Sequence, residues 1–397
     1  MINCSKRLNT LPPYIFTKID KLKKEAYSKK LDVIDLGMGN PDLPLPSRVL
    51  ERLCDTVVNH PRTHRYPQAK GMPKFRICVS EWFYKRFGVK IDPEREALAL
   101  IGSKEGVAHL CQALLNFNDL ALVPDPAYPV YYNGIVLAGG KTYKMPLLEK
   151  NGFLPDLTKI PAKIARKAKM MFINYPNNPT TAVVEDLSFF KDIVKFAKKY
   201  NIIVCHDNAY SEVVFDGYQA PSFLQVKGGK DVAVEFHSFS KTYSMAGWRI
   251  GFAVGNEYIL GALEKFKAFV DYGISTFIQL SGVVAIEHCS HEILNMRQIY
   301  AQRRDRFIKE FKKIGWEITP PKATMYLWTK IPDKFKGEMN SLEFCEYLVK
   351  ETGIVFAPGL GFGEFGDGYV RIALVTHENR FYDAAQRIKS LFKTNKK

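Results

Sequence analysis

Five short apolar runs, each closed by polar residues, limit what this chain can fold into. They are Leu98-Ala99-Leu100-Ile101, Leu120-Ala121-Leu122-Val123, Lys169-Met170-Met171-Phe172-Ile173-Asn174, Ile202-Ile203-Val204-Cys205-His206 and Val232-Ala233-Val234-Glu235-Phe236. Runs this short and mostly unbroken read as strands covered on both faces, the habit of a parallel sheet. Helical patterns separate them, so the expected class is α/β, a mostly parallel central sheet flanked by helices. In open sheets of this kind ligands collect outside the carboxyl ends of the strands. The polar clusters fall there: Ser103-Lys104, Asp125-Pro126-Ala127-Tyr128, Tyr175-Pro176-Asn177-Asn178-Pro179-Thr180, Asp207-Asn208-Ala209-Tyr210 and Ser238-Phe239-Ser240-Lys241.

The last cluster carries the most chemistry. Two hydroxyls (Ser238, Ser240), the amine of Lys241 and Arg249, eight positions beyond the lysine, can converge on one anionic group. Lys241 stands among small polar and aromatic residues, a setting in which an amine can lose its proton and attack a carbonyl. Taken alone, the stretch also fits a surface loop of a basic protein. Ser238-Phe239-Ser240-Lys241 together with Gly247-Trp248-Arg249-Ile250-Gly251 resembles the cofactor-lysine segment of the class I/II aminotransferases, pyridoxal-phosphate enzymes of fold type I. Further matches in the family's order cover nearly the whole chain.

The resemblance implies a role for each strand-end residue. Lys241 would be covalently joined to the aldehyde of pyridoxal 5'-phosphate and, once displaced by a substrate amine, would move the substrate Cα proton. That work requires an amine neutral near pH 7, far below the ordinary lysine value of roughly 10.4. Asp207 would pair with the pyridine nitrogen; standing alone it would read as an aspartate capping a turn. Tyr210 and Asn178 would bond the ring's phenolic oxygen, and Tyr128 would stack on the ring or serve as a core aromatic. Ser238, Ser240, Arg249 and the amides near Ser103 would hold the phosphate, the last because they open a helix. Arg371, in Tyr369-Val370-Arg371-Ile372-Ala373-Leu374, would clamp the substrate α-carboxylate with its planar fork. An exposed strand arginine is the alternative.

Other positions rest on the resemblance alone. Gly37 and Gly39, in Asp35-Leu36-Gly37-Met38-Gly39-Asn40-Pro41, read locally as tight-turn glycines; the resemblance implies that this segment approaches the substrate carboxylate through its backbone amides, with Gly39 as the contact. Tyr66, in Arg65-Tyr66-Pro67, would reach across a homodimer interface to the partner's cofactor phosphate, or simply pack. Tyr14 is a candidate substrate contact or a packed aromatic. Lys104 replaces a smaller residue of many relatives and can meet phosphate, substrate or solvent. His109 fits a core or interface histidine. Thr181 stands where many relatives have glycine, so that turn is expected to differ.

Composition narrows the alternatives. With 397 residues, 46% of them hydrophobic, the chain can bury a large core and divide into domains. The expected division is 1–45 and 291–397 as a smaller α+β unit around a large cofactor-binding domain, 46–290. A net charge of +16 invites a nucleic-acid reading, but the lysines are spread along the chain and do not interleave with aromatics. Neither nucleic acid nor membrane is expected as a partner. Seven scattered cysteines without a C-x-x-C pair fit reduced thiols in a cytoplasm and no metal site. The expected activity is amino-group transfer between an amino acid and a 2-oxo acid, with glutamate/2-oxoglutarate as one pair. Leu11-Pro12-Pro13-Tyr14, Gly37-to-Asp42 and Gly102-to-Gly106 look closest to bacterial alanine (glutamate–pyruvate) transaminases. Aspartate and LL-diaminopimelate aminotransferases are the alternatives, and a lyase on the same cofactor scaffold would share every site residue.

Overall fold

All five apolar runs are strands, and period-2 alternation splits each of them between two cores. The computed structural model describes residues 4–11 and 16–393. Its strands are β1 (Ile34–Asp35), β2 (Ala97–Leu100), β3 (Leu120–Asp125), β4 (Lys141–Pro146), β5 (Ala168–Ile173), β6 (Ile203–Asp207), β7 (Ala233–Ser238), β8 (Gly251–Gly255), β9 (Tyr326–Lys330), β10 (Ile354–Val355), β11 (Ala357–Pro358) and β12 (Tyr369–Ala373). The central sheet runs β2-β8-β7-β6-β5-β3-β4. Leu98, Leu100, Val123, Phe172, Cys205, Val234 and Phe236 face one apolar layer, while Ala97, Ala99, Leu122, Met171, Val204 and Ala233 face the other. Both faces being dry is why the runs lack alternation in the sequence.

Helices supply the two covers. Over Ser188–Tyr200 the apolar stripe Phe190, Ile193, Val194 and Ala197 is buried at helical spacing, and Asn201 ends the helix in the left-handed region with φ 56°. On the other face Ser103–Leu114 packs between Val130–Leu137 and Glu257–Val270.

One strand departs from the parallel pattern and places the key loop. β8 is antiparallel to both β7 and β2, whereas the remaining neighbours are parallel. A parallel successor would need a crossover of a dozen residues or more; a reversed one needs none. The chain therefore turns back directly through residues 239–250, which keeps Lys241 and Arg249 at the carboxyl edge of the sheet. β8 is absent from the five apolar runs because Gly251-Phe252-Ala253-Val254-Gly255 has only three apolar residues between its glycines.

β1 pairs in parallel with β10, so the N-terminal segment joins the C-terminal part of the chain, where β11, β12 and β9 form an antiparallel sheet. β12 brings Arg371 opposite Ala357 and Trp328.

Candidate active site

A cavity of about 670 Å³ opens at the carboxyl ends of β5, β6 and β7, and it gathers residues from 19 to 371. Gly39, Ser103, Lys104, Tyr128, Asn178, Asp207, Tyr210, Ser238, Ser240, Lys241, Arg249 and Arg371 all line it. Of the residues singled out from sequence, Tyr66 does not line it, and Tyr14 lies outside the described residues. Tyr66 is 90% exposed and packs edge-on against Tyr272 at 5.8 Å.

Asp207 ends β6 and is buried. Its Oδ2 accepts from the Tyr131 hydroxyl at 2.8 Å, while Oδ1 is buried without a partner. Burial pushes the carboxyl above its usual value, and the Tyr131 hydroxyl and the His206 ring oppose that rise. The Asn174 amide donates to the Asp207 carbonyl at 2.6 Å and its Oδ1 accepts from Asn178 N at 2.8 Å, so the strand end and the Asn-Asn-Pro turn move as one piece.

Lys241 projects into the same cavity, where its Nζ donates to Gly39 O at 2.7 Å. Burial lowers the pKa of this amine; Tyr326 opposes the shift, and the cations of Arg371 and Arg249 add to it. Arg371 is buried and donates from Nη1 to Asn178 Oδ1 at 2.7 Å and from Nη2 to Gly37 O at 3.0 Å. Its guanidinium lies 4.2 Å from the Tyr326 ring centre and 4.6 Å from that of Phe362, and its Nε has no partner. Tyr210 donates to the Tyr326 hydroxyl at 3.2 Å, and burial raises its phenol well above the usual tyrosine value.

One wall of the cavity is built from the reversed loop. Ser238 Oγ accepts from Ser240 N at 3.2 Å, and Arg249, itself exposed, donates from Nη1 to Ala246 O at 2.9 Å. Ser103 begins the helix Ser103–Leu114 after Gly102, whose φ is 78°. A Cβ on Gly102 would come within 2.5 Å of Arg249 Nη2, so only glycine leaves the guanidinium its place.

The glycines near β1 act differently from the sequence expectation. Neither Gly37 nor Gly39 has a positive φ. Gly39 is needed because any Cβ would overlap the Tyr326 hydroxyl and ring, and both glycines present carbonyls, to Lys241 and Arg371, in this state. Close approach, not turn geometry, fixes Gly39. Thr181 adopts φ 60°, a left-handed conformation that glycine reaches without strain.

Three site residues escaped the sequence reading. Tyr131 follows Tyr128 by three positions and its N–H donates to the Tyr128 carbonyl at 3.2 Å; both side chains line the cavity. Tyr326 and Phe362 carry no local signal, since their roles arise from docking β9 and the segment after β11 against β1. Among the described residues, the one His/Asp/Glu group with metal-like spacing is Glu105, His109 and Asp271. It is filled by the ammonium of Lys267, 3.0 Å from Glu105 Oε1 and 3.1 Å from Asp271 Oδ2, so His109 belongs to a half-buried ion cluster.

These residues fit pyridoxal phosphate. An acid with an unbonded buried oxygen, a deprotonation-prone amine and a hydroxyl-and-arginine wall at a helix start match a pyridine nitrogen, an aldehyde and a phosphate. Fold and site together define a fold type I pyridoxal-phosphate enzyme. The chain belongs to the class I and II aminotransferases, whose family model matches residues 31–388. It is 49% identical over 387 residues to an LL-diaminopimelate aminotransferase of Syntrophobacter fumaroxidans, covering 98% of each chain. To that of Moorella thermoacetica it is 46% identical over 385 residues, 97% of each. The solved structure of substrate-bound BacF from Bacillus subtilis superposes with a TM-score of 0.93 at 39% identity, over 98% of both chains. The protein is thus a pyridoxal-phosphate-dependent aminotransferase.

Proposed function

We propose that this enzyme is an LL-diaminopimelate aminotransferase that passes the amino group to 2-oxoglutarate. The observation that carries the reading is near-full-length identity of 46–49% to several enzymes of that name. The sequence reading placed alanine transaminases first, and this similarity favours its alternative. The cavity wall supports the change. Asp20, Lys23, Asp35 and Lys104 line it beyond the clamp, with Lys23 Nζ 2.8 Å from Asp35 Oδ2 and 3.3 Å from Asp20 Oδ1. A long substrate with a second ammonium and carboxylate meets charge of both signs there, which alanine's methyl group cannot use. Among the described residues that line the cavity, the arginines are Arg249 and Arg371.

In this reading the bound cofactor supplies an electron-accepting ring. Arg371 holds the α-carboxylate bidentately, Asn178 and Tyr210 hold the ring oxygen, and Tyr128 covers the ring face. Asp207 holds the proton on the pyridine nitrogen. Lys241 Nζ, whose pKa is lowered first by burial and further by Arg371 and Arg249, removes the proton from the substrate Cα. We further propose a homodimer in which the exposed Tyr66 reaches the partner's phosphate, a cytoplasmic location, and the division 1–45, 46–290 and 291–397. The pairing of β1 with β10 supports grouping the two end segments.

The test is a panel of amino donors (LL-diaminopimelate, alanine, aspartate, aromatic) with 2-oxoglutarate as acceptor. The highest kcat/KM is expected for LL-diaminopimelate. A preference for alanine would restore the other reading, and turnover without any oxo acid would select a lyase.

A further inference from the structure

Asp125 closes β3 at the head of the cluster Asp125-Pro126-Ala127-Tyr128, and the amino-transfer steps above make no use of it. Its carboxylate is buried at the carboxyl edge of the sheet, yet its partners come from far along the chain. Oδ1 accepts from Phe365 N at 3.0 Å, across 240 residues of sequence. Oδ2 lies 3.3 Å from Lys144 Nζ on β4, and the same ammonium is 2.8 Å from Glu364 Oε2. Burial pushes the carboxyl above its usual value, and the Phe365 amide and the Lys144 ammonium oppose that rise. A carboxylate in such a place is costly unless it is paired and bonded. Both oxygens are committed to one short segment, 363–365, and to the lysine that meets it there.

That segment cannot hold itself in place. Gly359, Gly361, Gly363, Gly366 and Gly368 fall within ten residues, and glycine loses more conformational freedom on folding than any other residue. Gly363 adopts φ 141°, and a Cβ there would overlap the Asp125 carboxylate, so the loop lies directly on the acid. On one side the loop is tied to Ser341, whose Oγ accepts from Leu360 N at 3.0 Å and whose N–H donates to Asp367 Oδ1 at 2.8 Å. On the side of the central sheet the ties are Asp125, Lys144 and Ala127, whose N–H donates to Phe362 O at 2.8 Å. Between the two sets of ties sits Phe362. It lines the cavity, packs edge-on to Trp328 with ring centres 6.3 Å apart, and sets its own ring centre 4.6 Å from the Arg371 guanidinium.

We propose that Asp125 is a positioning residue for substrate binding: by holding the 363–365 backbone it seats the Phe362 ring against the Arg371 guanidinium, so that the fork meets the substrate carboxylate in one fixed plane. The proposal rests on the reading of Arg371 as the carboxylate clamp. Asp125 is not among the residues that line the cavity, so its influence on substrate passes through Phe362. Without the carboxylate the loop keeps its ties to Ser341, but the Phe362 ring is free to lean away and the guanidinium loses the surface that fixes its plane. Misplacing a binding group by about 1 Å is enough to weaken a substrate complex severely.

A double-mutant cycle on the holoenzyme tests the route, with KM for the best amino donor as the readout. Asp125→Ala is expected to raise KM about tenfold and to lower kcat by less than about threefold. Asp125→Asn keeps an acceptor for Phe365 N and is expected to restore most of the loss. In a Phe362→Leu background, Asp125→Ala should change KM by less than about twofold, because the two residues act as one unit. An unchanged KM in Asp125→Ala overturns the proposal, and so does an equal rise in both backgrounds. Amide hydrogen exchange of the peptide 359–367 reads the tie without any substrate: it should quicken in Asp125→Ala and stay near the natural rate in Asp125→Asn. Unchanged exchange in Asp125→Ala overturns the hold on the loop. If Arg371→Lys raises KM and Asp125→Ala does not, the positioning role alone falls; if exchange quickens and neither variant changes KM, the clamp reading falls with it. Should Asp125→Ala fail to fold, Gly363→Ala, whose methyl drives the loop off the carboxylate, is expected to raise KM in the same way, and an unchanged KM there overturns the proposal.

Discussion

Arg371 donates to Asn178 across 193 residues of sequence, Nη1 to Oδ1 at 2.7 Å, and so ties the β12 strand of one sheet to the turn after β5 of another. The guanidinium is thereby oriented before substrate arrives, with Tyr326 and Phe362 on its flat faces. A lysine has neither the fork nor the stacking plane. Arg371→Lys is expected to raise KM and to lower kcat/KM by about 10²-fold, the loss of a charge-assisted contact of about 2.7 kcal/mol. Steady-state kinetics with the best donor checks this, and unchanged constants would remove Arg371 from the clamp.

Lys241→Ala should abolish turnover, by about 10⁴-fold, while the protein still binds pyridoxal phosphate through the remaining wall. Absorbance of the bound cofactor separates the two effects. Retained turnover would take the proton-transfer role away from this amine.

The depressed pKa of Lys241 gives a signed pH effect. In the cofactor-free protein the amine should become reactive toward an acylating reagent at a pH below the usual lysine value of roughly 10.4. Removing a nearby cation favours the ammonium, so Arg371→Gln should move that midpoint to higher pH, whereas Arg371→Lys, which keeps the charge, should leave it nearly in place. Mass spectrometry of the labelled peptide across pH reads both.

Gly39→Ala should fold and yet lose most activity. The new methyl overlaps Tyr326, which cannot retreat without leaving the Arg371 guanidinium and the Tyr210 hydroxyl. Restored activity in the double variant Gly39→Ala with Tyr326→Phe would be partial, because Phe removes the hydroxyl but not the ring; full restoration would show that the ring has room.

Thr181 holds a β-branched side chain at φ 60°, a conformation costing about 1 kcal/mol. Thr181→Asn, which tolerates that region, is expected to raise the thermal midpoint with activity unchanged. A lower midpoint would mean that the Thr181 side chain contributes packing that outweighs the strain.

Much of the site was legible because each strand end is a local event. An apolar run followed by polar residues announces both a covered strand and the edge where ligands gather, which brought Ser103, Tyr128, Asn178, Asp207 and Lys241 forward together. β12 was likewise readable, in the run Tyr369-to-Leu374. Tyr326, Phe362 and the carbonyl role of Gly39 were not, because each depends on surfaces meeting across hundreds of residues.

Sequence by itself determined the alternation of strand and helix, the lysine-bearing loop and the order of the polar clusters, since these follow from spacing within a few residues. Tertiary structure decided which of those clusters face one another, how burial lowers the pKa of Lys241 and which glycine cannot be replaced. Those outcomes depend on burial and on through-space distance between groups, and neither quantity exists in a chain until it has folded.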